Sequence, residues 1–192
     1  MTLENAILGF LDREPMTGYD LKTRCFDDAV GHVWTADQAQ VYRTLERLLE
    51  RGLVRSKLVP QRGKPDRRVF SITQRGRRAL SAWLHEGLEP GPVRDPLLLR
   101  LALAETLSDD ELLVLLNQAR QGYQARLDAL RAEASSPPPP LAAPDLRGAD
   151  LFRMTLSAAM SATRTAIDWI DDCTDRIASG LPKVARATDE GA

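Results

Sequence analysis

Gln38, Gln40, Arg43 and Thr44 are of types, and at a spacing, that suit hydrogen bonding to the edges of nucleic-acid bases. A glutamine amide sets a donor beside an acceptor, the pattern adenine presents in the major groove. An arginine fork matches the two acceptors of guanine. Each well-formed pair is worth roughly 1–3 kcal/mol of discrimination against a wrong base. Tyr42 and Arg47, beside them, suit sugar-phosphate contacts, which position a protein without reading sequence. Tyr42 has a second reading, packing against the segment that follows. Further on, Arg62, Lys64, Arg67 and Arg68 surround a Gly/Pro loop that can straddle a phosphate backbone or reach the minor groove.

Charge supports this reading by its placement. Residues 41–80 hold 12 Lys/Arg against 3 Asp/Glu, in a chain with 26 basic and 27 acidic residues. The remainder therefore carries 14 basic and 24 acidic side chains. A basic strip inside an acidic chain is the footprint expected of contact with a polyanion. Its last arginines, Arg75, Arg77 and Arg78, also read as solvated surface.

The elements that must position these groups follow from periodicity. Leu3, Ala6, Ile7, Phe10 and Leu11 recur at helical spacing, and Pro15 ends that helix. Thr17 is expected to cap a second helix, with Asp20 completing the box and Tyr19, Leu21 and Cys25 pointing inward. Thr35 is expected to cap a third, with Gln38 at the box position. There Ala39, Val41, Leu45, Leu48 and Leu49 form the apolar face, while Gln40, Arg43, Thr44, Arg47 and Arg51 lie opposite until Gly52 stops the helix. Residues 53–59 and 67–72 then change to strand character around the exposed loop PQRGKPD. Thr73 is expected to cap a closing helix that buries Leu80, Trp83 and Leu84. Three helices, a hairpin and a helix in this order describe a winged helix.

The second half reads as purely helical. Asp95 and Pro96 open a short apolar helix, and Ser108 with Glu111 opens a longer one. Four consecutive prolines interrupt the chain inside 135–148, a loop expected to stand extended and exposed. A last helix over about 149–178 is too long and too apolar to be covered by the chain around it, so a second copy is the expected partner. The fold class expected is mainly α: a winged helix-turn-helix with a two-stranded wing over 1–89, then an all-helical dimerisation domain over 90–192.

Other classes of function find little support. The longest Leu-rich stretch, PLLLRLALAETL, contains Arg100 and Glu105 and falls short of the roughly 20 apolar residues of a membrane span. The N-terminal residues lack signal-peptide character, so a cytoplasmic location is expected, without membrane contact. Cys25 and Cys173 read as buried thiols. His32 and His85 show no zinc-ligand spacing, and the cluster Asp171, Asp172 and Asp175 reads as a solvated helix face. No nucleotide-binding, metalloprotease or serine-hydrolase motif occurs, and no catalytic residue, metal or cofactor is expected. Trp34, Trp83 and Trp169 are candidates for lining a site for a small aromatic effector, though each also reads as a core or hinge residue.

Three segments, in order, resemble the PadR-type transcriptional regulators. ILGFLDREPMTGYDL (7–21) is similar to the opening helix and turn of that family, and Trp34 to Val54 to its recognition helix, with Gln40, Tyr42, Leu45 and Gly52 at characteristic positions. GKPDRRVFSITQRGRRALSAWL (63–84) is similar to its wing and following helix. Arg43-Thr44 stands where many members have Pro-Ala, Phe70 where Tyr is common, and Asp66 weakens phosphate attraction in the wing. Beyond Pro90 the likeness is to members with a larger C-terminal region. The resemblance implies a homodimer on an inverted repeat of double-stranded DNA, often a repressor released by a small hydrophobic or phenolic ligand. The alternative is a winged-helix protein-interaction module without specific DNA binding.

Overall fold

The computed structural model describes residues 2–60, 66–88, 91 and 94–180. The wing-loop tip with Arg62 and Lys64, parts of the expected boundary near 88–96, and the last twelve residues lie outside them. The chain divides into two compact units: Met1–Pro90 with Glu133–Ser157, and Gly91–Ala132 with Ala158–Ala192. The first unit thus includes 133–157, a segment that the sequence reading places with the C-terminal helices.

In the first unit, helix α1 (Thr2–Arg13) buries Ile7, Leu8, Phe10 and Leu11. Pro15 follows, and strand β1 (Met16–Thr17) comes next. Helix α2 (18–29) opens with one α-turn, Gly18–Asp20, and continues as a π-helix, Leu21–Ala29. The expected box is present: Thr17 Oγ1 accepts from the Asp20 amide at 3.0 Å, and the Thr17 amide and hydroxyl donate to the Asp20 carboxylate at 3.2 and 2.8 Å. Tyr19, expected inward, is exposed. At about 100° per residue it lies roughly 200° round the helix from the buried Leu21.

Helix α3 (Gln38–Glu50) starts two residues later than Thr35 would place it. Asp37 is the cap, accepting from the Gln40 amide at 2.7 Å while the Asp37 amide donates to Gln40 Oε1 at 3.0 Å. An aspartate caps as well as a serine or better than a threonine, and the N3 glutamine returns the bond, so this box wins. At the other end Gly52 takes φ 64°. Its amide donates to Leu49 O and the Leu53 amide to Leu48 O, both at 2.9 Å, closing a Schellman turn that needs the glycine.

Strands β2 (Val54–Val59) and β3 (Arg67–Ile72) form the expected hairpin, from Val54 opposite Ile72 to Val59 opposite Arg67. The sheet has three strands rather than two, in the order β1-β3-β2. Met16 pairs with Phe70 and Thr17 with Val69, so the hairpin is anchored just ahead of α2. Helix α4 (Gln74–Leu84) is capped by Thr73 as expected, and Thr73 Oγ1 also donates to Gly52 O and Leu53 O. Gly76 lets α4 press on that junction, since a Cβ there would meet Leu53 O at 2.2 Å. Leu80 is buried, but Leu84, expected to join it, is exposed at the last helical position.

Segment 133–157 closes this unit. Leu141 belongs to the core cluster of α1–α4 and the hairpin, and Ala142 packs against it. The Pro-rich loop is therefore anchored, not simply extended into solvent. His32 Nδ1 lies 3.1 Å from Glu133 Oε1, and its Nε2 lies 2.9 Å from Thr155 Oγ1. Its ring meets Phe152 edge-on at 5.2 Å.

The second unit is helical. Asp95 caps α5 (Pro96–Ala102), and Ser108 with Glu111 forms the expected box ahead of α6 (Asp109–Ala134). Helix α7 (Leu146–Ala178) begins earlier than 149 because Asp145 accepts from the Gly148 amide at 2.6 Å. Leu97, Leu112, Leu116, Ile170 and Ile177 make the core of this unit. Around it Tyr123 Oη donates to Asp95 at 3.0 Å, and Arg120 pairs with Asp171 at 2.6 Å. Among the described residues no helix is long and apolar enough to cross a membrane.

Candidate nucleic-acid interface

Helix α3 buries Val41, Thr44, Leu45 and Leu48 and exposes Gln38, Tyr42, Arg43, Glu46 and Arg47. Thr44 corrects the sequence reading. It is 1% exposed, and its hydroxyl accepts from Arg47 Nη at 3.1 Å, so it faces the core rather than a groove. Ala39, expected on the apolar face, is exposed. Gln38 and Gln40 exchange their expected parts. Gln40 spends its carbonyl oxygen on the cap, keeping only its NH2 for other partners, while Gln38 stands at the first turn with no side-chain bond among the described residues. Arg43 likewise has no carboxylate partner among them.

Tyr42 is 39% exposed, and one edge of its ring covers Gly18. A Cβ at Gly18 would lie 2.7 Å from Tyr42 Cε1 and Cζ, so this glycine permits the close approach of α2 and α3. The tyrosine therefore packs on α2 and still presents its outer side. Arg47 lies 3.9 Å from Glu4, and Arg51 pairs with Glu4 at 2.7 Å.

On the hairpin, alternation sorts the basic groups by face. Arg55, Lys57 and Arg67 share one face, since Val59 sits opposite Arg67 and Lys57 opposite Val69. Arg55 and Lys57 are exposed with no acidic partner among the described residues. The sequence reading left both out of the site, although their spacing of two in a strand marks a common face. Arg67 reaches back to Asp20 at 2.9 Å. Burial works against ionisation of Asp20, but the Thr17 hydroxyl and amide bonds, with Arg67 and Arg24, outweigh it and hold its carboxyl below the ordinary value. Arg68, on the opposite face, forks onto both oxygens of Glu46, donates from Nε to Ser56 Oγ at 3.2 Å and lies over the Phe70 ring at 5.1 Å.

The strip's 12 basic residues are thus not 12 free charges. Arg51, Arg67, Arg68 and Arg77 each have a carboxylate within 3 Å. Exposed pairs of this kind contribute about 0–1 kcal/mol, little enough for a phosphate to displace the acid. Elsewhere, Trp34 (42% exposed) and the half-buried Trp83 belong to the first unit, and Trp169 (37% exposed) to the second. Cys25 is buried beside Met16, and burial pushes its thiol up to about 12.

Residues 7–82 match the family described as "Transcriptional regulator PadR-like family", and residues 93–178 match "Virulence activator alpha C-term". A probable transcriptional regulator of Mycobacterium tuberculosis is 34% identical over 192 residues, covering 92% of this chain and 98% of that protein. The negative transcriptional regulator PadR of Bacillus subtilis is 27% identical, covering 88% and 93%. The crystal structure of Bacillus subtilis PadR in complex with operator DNA superposes with a TM-score of 0.78 at 24% identity, over 92% of this chain and 99% of that one. Its complex with p-coumaric acid gives 0.68 at 23%, over 92% and 95%. Sequence, fold order and matched segments agree, and the chain belongs to the PadR-like family of DNA-binding transcriptional regulators.

Proposed function

We propose that this regulator is a homodimeric repressor that binds an inverted repeat in double-stranded DNA and responds to a small aromatic ligand. The observation that carries the DNA part is the exposed face of α3, where Gln38 and Arg43 stand clear of partners among the described residues on a helix capped at both ends. In this reading Gln38 and Arg43 meet base edges, with the Gln40 NH2 beside them. Tyr42, Arg47, Arg55 and Lys57 meet phosphates. Arg67 and Arg68, with Arg62 and Lys64 of the loop, form the wing contact.

Two further features support the rest of the reading. Leu98 and Leu99 on α5, Leu103 just after it, Val114 on α6 and Trp169 on α7 leave apolar surface exposed, which a second copy would cover. The Bacillus subtilis relative is named a negative regulator and has been crystallised with operator DNA and with p-coumaric acid. Trp34, Trp83 and Trp169 are the aromatic groups suited to such a ligand.

The test is fluorescence anisotropy on duplexes tiled across the DNA upstream of this chain's own gene, with and without hydroxycinnamic acids. One duplex containing an inverted repeat should bind in preference to the others, two chains per site, and a hydroxycinnamate should weaken it. Equal affinity for every duplex would leave the interaction-module reading in its place.

A further inference from the structure

We propose that Glu46 is a specificity-determining residue that acts through Arg68, bracing the wing against α3. The inference rests on the reading of α3 and the hairpin as the DNA-binding face. Its observation is separate: the two parts of that face are tied to each other by a fork-to-fork ion pair.

The geometry gives the exposed Arg68 a prescribed direction rather than that of a loose surface charge. Both guanidinium nitrogens at its tip address the Glu46 carboxylate, Nε is held by Ser56, and the guanidinium lies over Phe70, itself buried. Parallel bonds from a planar fork define direction as well as distance. Glu46 stands on the exposed side of α3, one turn beyond Arg43, so the brace starts from the surface assigned to DNA. Neighbouring residues of a strand point to opposite faces, and Arg67 is held from the other side by Asp20 of α2. β3 is therefore guyed to both helices of the helix-turn-helix.

A braced wing follows the backbone of a duplex independently of α3 only by giving up that pair, at up to about 1 kcal/mol. Both parts engage fully only where the base contacts of α3 and the phosphate contacts of the wing share one register. Elsewhere one part is satisfied at the other's expense, which is discrimination obtained by penalising wrong partners. Cutting the brace should free the wing and give Arg68 to any phosphate within reach. Binding to unrelated DNA then tightens, while binding to the proper site gains little, because its register was already met.

The experiment uses full-length protein, an operator selected from randomised duplexes by the wild-type chain, and a scrambled duplex of equal length. With E46Q, affinity for the scrambled duplex should rise about 2- to 5-fold, the range of an exposed pair. Its log K against log salt slope should steepen by about 0.9, one added phosphate contact. The ratio of specific to scrambled affinity should fall by a similar factor. In an R68A background E46Q should no longer change that ratio, whereas simple repulsion between Glu46 and phosphates would persist without Arg68. Equal tightening on both duplexes, or an unchanged ratio, overturns the brace while leaving the DNA reading intact. Wild-type protein that selects no operator overturns that reading, and this inference with it.

Discussion

On α3, Arg43 stands exposed with no carboxylate partner among the described residues, whereas on β3 Arg67 and Arg68 are each held by an acid of a neighbouring helix. Both regions are rich in arginine and both lie in the basic strip. They differ in readiness. A group without an internal partner exchanges only water when it meets a base, while a paired one must also release its acid, at up to about 1 kcal/mol for an exposed pair. The helix thus offers groups for reading, and the hairpin offers charge whose position is already prescribed. The placed charge of the strip predicts an attraction to DNA; the pairing pattern says which arginines are free to discriminate.

The largest effect should separate those roles most sharply. Arg43→Ala should lower affinity for a selected operator by about 5- to 150-fold, the worth of one bidentate base contact, with a much smaller change on scrambled DNA. Anisotropy titrations of both duplexes at one salt concentration measure this. Equal losses on the two would make Arg43 a phosphate contact and erase the contrast with the hairpin.

Next comes the support of the helix itself. Asp37→Ala should cost about 1 kcal/mol, because it removes the carboxylate that accepts from the Gln40 amide, whereas Thr35→Ala should cost almost nothing. Paired denaturant melts decide it, and a larger loss from Thr35 would return the cap to the position expected from sequence. Operator affinity should fall with Asp37→Ala as well, since Gln38 belongs to the turn that frays.

The hairpin should respond differently. Lys57→Ala should weaken binding to operator and scrambled DNA by the same factor and reduce the salt slope by about 0.9. A loss confined to the operator would place Lys57 among the base readers and shift the boundary between the two regions.

What could be read ahead of the structure follows the range of the interactions. The boxes at Thr17–Asp20 and Ser108–Glu111, the caps at Thr73 and Asp95, and the stop at Gly52 are local, set by residues within a few positions of one another. They appear where composition puts them. Thr35 and Asp37 both precede a Gln at the right distance, and the local sign that separates them is the stronger capping preference of aspartate. β1 escaped notice since two residues carry no alternation; its pairing is decided by Phe70 and Val69, more than fifty positions away. Separations of 47 and 22 positions hide Asp20 and Glu46 as partners of wing arginines, and a longer one hides Leu141 as a core residue of the first unit. Thr44 differs for another reason. A threonine that follows Arg43 reads as surface, yet at one residue from Leu45 and three from Val41 it sits at the edge of the buried stripe, and a single hydroxyl is easily satisfied there by Arg47.

The smallest effect tests whether the hairpin's prescription extends to its second anchor. Asp20 receives the Thr17 amide and hydroxyl and Arg67, and these bonds hold its carboxyl below the ordinary value against the cost of burial. A carboxyl depressed in the folded state adds stability that is present above its unfolded value, about 3.9, and is lost as pH falls through the folded one. Asp20→Asn should therefore destabilise the protein at neutral pH, by an amount that shrinks steadily below about pH 4. Arg67→Ala, which removes one of the depressing charges but leaves Thr17 in place, should show the same trend more weakly. Thermal melts of the three proteins across pH 3 to 7 give the comparison. A difference between wild type and Asp20→Asn that stays constant down to pH 3 would mean the carboxylate's charge contributes nothing. Arg67 would then be tethered only in appearance, and just the Glu46 side of β3 would remain prescribed.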